Sequence, residues 1–399
     1  MKKKWLILIP ILIIIFVGGY LILKQMIWNY KVAHAEKIVE LARNDVFVYS
    51  DMRISKLIKS INGDLDTNPK IDTTKLGPQT VKFKYTTFEG YPVSYEVEIE
   101  VVDVTPPEIF STKTKTIYTN FEGNLEEHLF CGDNYDSEPK CSIEGEYDTK
   151  TPGSYDIKFI GEDASGNRKE NNFTLIVKNP PKSTSYGVDE ANAFKFSELT
   201  EKYAGENRKF GIDVSQHQGD IDFQKVKDAG VEFAYIRVGR GGGVGKEPVL
   251  DKKFEQNIKG FNSVGIPVGI YFYSYAINQK EVERDAKWVV KQLKNYKVDL
   301  EVAYDYEDWQ DYQEYKLSFY ELTQVANTFN DYMKKNGYEG MLYGSKYYID
   351  NIWFKQSYPI WLAHYTTKTD YQGYKVWQLS DEGKVPGIDG LVDLNIRYE

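Results

Sequence analysis

Two carboxylates set two residues apart in an apolar run, Asp305 and Glu307 in LEVAYDYED, are the residues of this 399-residue sequence best suited to chemistry. On a strand, positions i and i+2 project to the same side, roughly 7 Å apart. A carboxylate facing an apolar interior is costly unless it has a partner or a task. Two more acids stand in comparable places: Asp213 closes the run KFGIDVS, and Asp393 lies in GLVDLNI. Clustered carboxylates drive one another's pKa values apart, so that one stays protonated while another ionises. Cleaving a glycosidic bond needs both states: a proton for the leaving oxygen and negative charge beside the developing oxocarbenium ion. Glu307 is assigned as the acid and Asp305 as its charged neighbour, with Asp213 and Asp393 completing the cluster. The spacing D-x-E is common on surfaces, so its placement inside an apolar strand carries the assignment.

Aromatic residues form the second element. Tyr271, Tyr273, Tyr343, Trp361, Tyr365 and Trp377 lie in or just after apolar runs. Sugar rings present C–H faces that pack on aromatic faces; for any single ring the competing role is ordinary core or rim packing. Arg237 and Gln378 are polar groups in otherwise apolar strands, able to bond either the acids or a sugar.

The elements that must position these groups are strands alternating with helices. The runs KFGIDVS, EFAYIRVGRG, PVGIYFYSYA, LEVAYDYED, EGMLYGS, YPIWLAHY, YKVWQLS and GLVDLNI supply eight strand candidates. Between them lie amphipathic helices: Val282, Ala286, Val289, Val290 and Leu293 share one face, and Phe319, Leu322, Val325, Ala326, Phe329 and Met333 share another. Gly337 predicts the stop of the second. This alternation predicts a parallel barrel whose strand ends bring the acids to one mouth. The later connections are too short for full helices, so an irregular (β/α) TIM-like barrel over residues 208–399 is expected.

In order along the chain, FGIDVSQHQGDIDF, FAYIRVG, GIPVGIYFYSYA, AYDYED, YPIWLAHY, VWQLS and GKVPGIDGLVDLN resemble glycoside hydrolase family 25. These are the Chalaropsis-type lysozymes, or N-acetylmuramidases. The resemblance covers about residue 209 to the C-terminus. It implies hydrolysis of the β-1,4 bond between N-acetylmuramic acid and N-acetylglucosamine in peptidoglycan, without metal or cofactor. By position it makes Glu307 the general acid, with Asp305, Asp213 and Asp393 around it. It also implies retention assisted by the substrate's acetamido group, with Asp305 orienting that group. Tyr306 departs from the small apolar residue usual between the two acids; as the i+1 residue it is expected to face away from the pocket.

Upstream of the barrel the pattern is different. Residues 36–178 read as short strands, with alternation in TVKFKYTTFEGYPVSYEVEIEVVD. A shift of 76 positions maps Gly77 onto Gly153, Val81 onto Ile157, Phe83 onto Phe159, and Val97, Ile99 and Val101 onto Phe173, Leu175 and Val177. Two β units are expected, at 36–104 and 105–178, resembling bacterial Ig-like sandwich repeats. Residues 179–207, rich in Pro, Ser, Lys and Glu, read as a linker. Asp133, Asp136 and Glu138 lack the spacing of a dedicated calcium loop, so a solvated acidic turn is expected. The only cysteines, Cys131 and Cys141, close a short loop; outside the cytosol a disulfide is expected, the alternative being two independent thiols.

Lys2, Lys3 and Lys4 precede an uncharged run over residues 5–23, about 28 Å long as a helix and close to the thickness of a bilayer core. The lysines predict a cytoplasmic N-terminus, hence a single-pass anchor over residues 1–30 with the rest of the chain outside the cell. A cleaved signal peptide is the competing reading; its apolar region would be too long, and Ala33-His34-Ala35 lies well beyond it. Net charge is −9, with no basic stripe and no phosphate-binding loop, which argues against nucleic acid as a partner. The four scattered histidines and two cysteines do not have metal-ligand spacing. The expected whole is a membrane-anchored peptidoglycan hydrolase, contacting glycan strands and the membrane. The alternative is a non-catalytic peptidoglycan-binding or adhesive surface protein.

Overall fold

In a computed structural model the described residues are 2–181, 193–310, 312–355 and 357–399. Residues 182–192 of the stretch read as a linker therefore lie outside them, whereas Phe196–Lys202, within that stretch, forms a helix whose Phe196 and Leu199 are buried. The chain divides into two compact units, Met1–Val104 and Thr105–Glu399.

The first unit opens with a helix over Lys2–Ala33. Its segment Leu12–Ala33 is long and apolar enough to cross a membrane and is not buried against the protein. The helix continues ten residues past Leu23, the last residue of the uncharged run, because nothing from Lys24 to Ala33 is a helix breaker. Downstream, strands Asp45–Phe47, Gly63–Leu65, Gly77–Thr87 and Pro92–Val102 form a four-stranded sheet. Its long hairpin puts Val81, Phe83, Tyr85, Val93, Ile99 and Val101 into a small core.

The second unit begins with the same construction. Strands Thr114–Tyr118, Lys140–Glu144, Gly153–Glu162 and Arg168–Lys178 form a sheet in which the long hairpin again occupies the centre. Gly77 pairs with Val101 in the first hairpin and Gly153 with Val177 in the second, so the 76-residue shift carries one register onto the other. Cys131 and Cys141 are joined in a disulfide, with Cα atoms 6.5 Å apart. The acidic turn is not simply solvated. Asp133 is fully buried and its Oδ1 accepts the Tyr135 and Asp136 amides, while Asp136 accepts those of Glu138 and Ala164. These carboxylates serve loop backbone that would otherwise lack partners.

The rest of this unit is built on a ten-stranded sheet, eight of whose strands form the ring: β1 Arg208–Val214, β2 Phe233–Arg240, β3 Val268–Tyr273, β4 Val302–Asp305, β5 Gly340–Ser345, β6 Ile360–Ala363, β7 Val376–Lys384 and β8 Val392–Tyr398. β1 to β7 pair in parallel, each with its successor. β8 runs antiparallel between β7 and β1 and closes the ring. The barrel is distorted rather than a regular eightfold one. The β6–β7 connection is too short for a packed helix, and β7 turns straight into β8 as a hairpin, which forces the antiparallel return. Helices Phe254–Ser263, Gln279–Leu293 and Phe319–Lys335 cover the outside, their buried faces meeting the outward residues of the strands. Ser318 caps the last through a reciprocal bond with Glu321.

Inward residues fill the barrel: Phe233, Tyr235, Ala303, Met341, Trp361 and Val376 pack as one cluster. Below them Glu301, almost fully buried, binds Arg397, Lys375 and the Tyr235 hydroxyl. Burial pushes its pKa up, but the bonds from Arg397, Lys375 and Tyr235 prevail and hold it down at about 2. A depressed carboxyl adds stability above its unfolded pKa and loses it as pH falls through the folded value. The Glu301→Gln variant is thus expected to lose about 3 kcal/mol at pH 7, from a shift of that size. Denaturant midpoints should show the gap narrowing towards pH 3; a gap independent of pH would contradict the ion-pair account.

The second β unit is not held away from the barrel as a spacer. Leu129 and Cys131 face its own core, so the alternate residue Phe130 points out and packs against the barrel's outer core. Around it, the Phe319 amide donates to the Asp133 carbonyl at 2.8 Å, Gln313 Nε2 to the Glu126 carbonyl at 2.9 Å, and Lys316 pairs with Glu138 at 2.6 Å. A side chain at Gly132 would come within 2.6 Å of Phe319 and 2.7 Å of Tyr312, so this approach requires glycine.

Candidate active site

Barrel geometry brings the four acids to the C-terminal ends of the parallel strands. Asp213, at the end of β1, lies directly across the β1–β8 ladder from Asp393. Asp213 is 4% exposed; its Oδ2 accepts Gln378 Nε2 at 2.9 Å and Asn395 Nδ2 at 2.7 Å. Both donors are oriented from behind. Tyr343 and Tyr365 donate to Gln378 Oε1 at 2.9 and 3.0 Å, and Trp361 Nε1 donates to Asn395 Oδ1 at 2.8 Å. Asp305 ends β4 and is also 4% exposed, yet its buried Oδ1 has no hydrogen-bond partner among the described residues. Glu307 lies just past the strand end and opens to solvent at the mouth. Tyr306 points the other way, into the layer between barrel and helices.

A cavity of about 160 Å³ is lined by Asp213, Arg237, Tyr271, Tyr273, Asp305, Glu307, Tyr343, Trp361, Gln378 and Asp393. Beside it lies an open depression of about 610 Å³ that shares Glu307 and Tyr343 and continues along Lys346, Tyr347, Asn351, His364 and Tyr365. Glu307 therefore stands where a narrow cavity meets an open groove.

Of the residues singled out from the sequence, Trp377 must be corrected. It packs in the outer core with its Nε1 donating to the His364 carbonyl at 2.9 Å, and it does not line the cleft. With Val376 and Gln378 facing inward on the same strand, residue 377 must face outward. Two site residues escaped sequence reasoning. Asn395 holds Asp213, and its position two residues after Asp393 on one strand was the available signal. Asp251 is buried and binds Arg237 Nε and Nη2 at 2.8 Å each, which fixes the guanidinium beside the cleft. Asp251 lies outside every strand run, so the sequence carried no mark of it.

The electrostatics follow from crowding acids into a poorly solvated space. Burial raises the Asp305 pKa well above the usual range, helped by the charges of Glu307 and Asp213 and opposed by Arg237. Burial likewise raises Glu307, with Asp213 adding to the shift. Asp393 is pushed up to about 10, by burial first and then by the charge of Asp213 and the bond to it. Asp213 is raised by burial too, but its bonds from Asp393, Asn395 and Gln378 work against this. Within the Asp213–Asp393 pair the proton thus resides on Asp393, and Asp213, with its donors, bears the charge. Such a site can hold proton donors and an anion together near neutral pH.

The sequence profile described as Glycosyl hydrolases family 25 matches residues 212–388, a span that contains Asp213, Asp305 and Glu307. An uncharacterised protein of Escherichia coli, YegX, is 30% identical over 197 residues, which cover 47% of this chain and 68% of that protein. The chain belongs to glycosyl hydrolase family 25. An autolytic lysozyme of Clostridium acetobutylicum is 27% identical to this family 25 chain over 189 residues, covering 46% of it and 54% of the clostridial protein. A family 25 glycosyl hydrolase structure from Bacillus anthracis is 24% identical, covering 48% of this chain and 89% of that one, with a TM-score of 0.42.

Proposed function

We propose that this family 25 glycoside hydrolase is a membrane-anchored N-acetylmuramidase. It would cut the β-1,4 bond between N-acetylmuramic acid and N-acetylglucosamine in peptidoglycan. The observation that carries the reading is the unpartnered, buried Oδ1 of Asp305 beside the solvent-facing carboxyl of Glu307. A buried carboxylate oxygen without a donor is costly, and an incoming N–H would relieve it. The acetamido N–H of an N-acetylated sugar is such a donor.

Before substrate binds, burial favours a proton on Asp305 as well as on Glu307. When a sugar amide donates to Asp305, the Asp305 anion is stabilised and the remaining proton is concentrated on Glu307. Glu307 then protonates the glycosidic oxygen as it leaves. The acetamido carbonyl oxygen, oriented through Asp305, attacks C1 from the opposite face to give a cyclic oxazolinium. Water next opens this ring, losing a proton to Glu307, and the anomeric configuration is retained. The charge on Asp213 stabilises the cationic centre. Tyr271, Tyr273, Tyr343, Trp361 and Tyr365 would hold the sugars, and Arg237 and Gln378 would bond them or fix the acids. The likeness to a protein named an autolytic lysozyme supports the same substrate class.

The remaining parts belong to the same proposal. Residues 1–30 would be the tip and anchor, with the N-terminus cytoplasmic. Residues 36–104 and 105–178 would be Ig-like units, 179–207 a linker and 208–399 the catalytic barrel, outside the cell. The test is to incubate the protein with purified peptidoglycan and identify the released fragments by mass spectrometry. Reducing-end muramic acid, first formed as the β-anomer by NMR, is expected. An inverted first product would sink the acetamido route. Intact glycan with protein bound to the wall would replace the enzyme with a binding module.

A further inference from the structure

We propose that Phe130, contributed by the β unit ahead of the barrel, is a positioning residue for Glu307; this rests on Glu307 being the acid proposed above. The loop carrying Glu307 leaves β4 without regular structure over residues 306–310, and the Trp309 amide folds it back onto the Glu307 carbonyl at 2.9 Å. The placement of Glu307 is therefore set by what holds the indole of Trp309. Tyr348 stacks on that indole at 4.0 Å, with planes 13° apart, and Tyr306 meets it edge-on at 5.0 Å. Phe130 closes the box, edge-on to Trp309 at 6.0 Å, near Tyr312 at 5.6 Å and parallel to Phe319 at 6.1 Å. The barrel supplies every member of this box except Phe130.

Removing that ring leaves a void beside Trp309, into which the indole can tilt. The turn at Glu307 then loses its fixed position, and the carboxyl moves out of line with the other acids of the cleft. Misplacement of a catalytic group by about 1 Å can cost on the order of a hundredfold in rate. Sugar-binding side chains on β3, β5 and β6 are untouched, so the loss should fall on kcat rather than KM. Displacement from Asp213, whose charge helps to raise the Glu307 pKa, lowers that pKa, so the alkaline limb of the pH profile should move to lower pH.

The experiment uses the full chain and soluble peptidoglycan fragments, with variants Phe130→Ala, Phe130→Leu, Glu138→Ala and Glu307→Gln. Phe130→Ala is expected to lower kcat about tenfold to a hundredfold with KM within about twofold. Its alkaline limb should shift down, and Phe130→Leu should restore most of the rate. Glu138→Ala, which cuts only the exposed pair with Lys316, should behave as wild type. Wild-type kcat and pH profile in Phe130→Ala, beside an inactive Glu307→Gln, would overturn the role of Phe130 and leave the acid assignment standing. A loss in Phe130→Ala that matches its fall in Tm, disappears on cooling and leaves the pH limb unmoved would also overturn it. An active Glu307→Gln would instead remove the acid assignment itself.

Discussion

Glu307→Gln is expected to lower kcat on peptidoglycan by about 10²–10⁴-fold, the usual contribution of a positioned general acid. Glutamine keeps the size of the side chain and can still donate to an oxygen, but it cannot transfer a proton. KM should change little, because the sugars are held by other residues lining the cleft. The wild type supplies a second check. The acid must be protonated, so kcat/KM should fall with pH on a limb set by Glu307. Burial and the Asp213 charge put that limb above the ordinary carboxyl range. Asp213→Asn removes the charge and should move the limb down. If Glu307→Gln kept more than about a tenth of wild-type turnover, the acid would have to be sought elsewhere in the cluster.

The strands were legible from sequence, and the choice of face was not always. All eight runs form the barrel because strands buried on both sides are continuous apolar segments bounded by turns. The same continuity hides direction: in YKVWQLS every residue from Val376 to Leu379 is buried, so Trp377 passed for a cleft residue. Gln378 held the missing information, since an amide in an apolar strand belongs on the face that has acids to bond. Antiparallel closure by β8 was hidden for a different reason. Strand direction depends on the length of the connection, and Pro386-Gly387-Ile388-Asp389-Gly390 is a turn rather than a crossover. The contact through Phe130 left no trace, because one aromatic between Leu129 and Cys131 reads as ordinary strand alternation. Pattern reports which residues are buried, and only tertiary pairing decides against what.

Asp393→Asn is expected to stabilise the protein at neutral pH by up to about 4 kcal/mol, and to do nothing of the kind near pH 4. The sign follows from the raised pKa. Unfolded, the carboxyl titrates near its ordinary value; folded, it is pushed up to about 10. Folding at pH 7 must therefore take up a proton, at about 1.4 kcal/mol for each unit of pH above the unfolded pKa. Stability is greatest below that value and falls as pH rises between the two. Asparagine carries its donor without needing the proton, so the substituted amide can still bond Asp213 and leave its charge in place. Turnover should accordingly survive within about tenfold, because an uncharged donor replaces an uncharged donor. Thermal melts from pH 4 to 8 would show a Tm advantage that grows with pH. An advantage of equal size at every pH would mean that relief of packing, rather than proton uptake, accounts for it. A lowered Tm at pH 7 would mean that Asp393 is ionised in the folded protein, and the proton would have to be reassigned within the cluster.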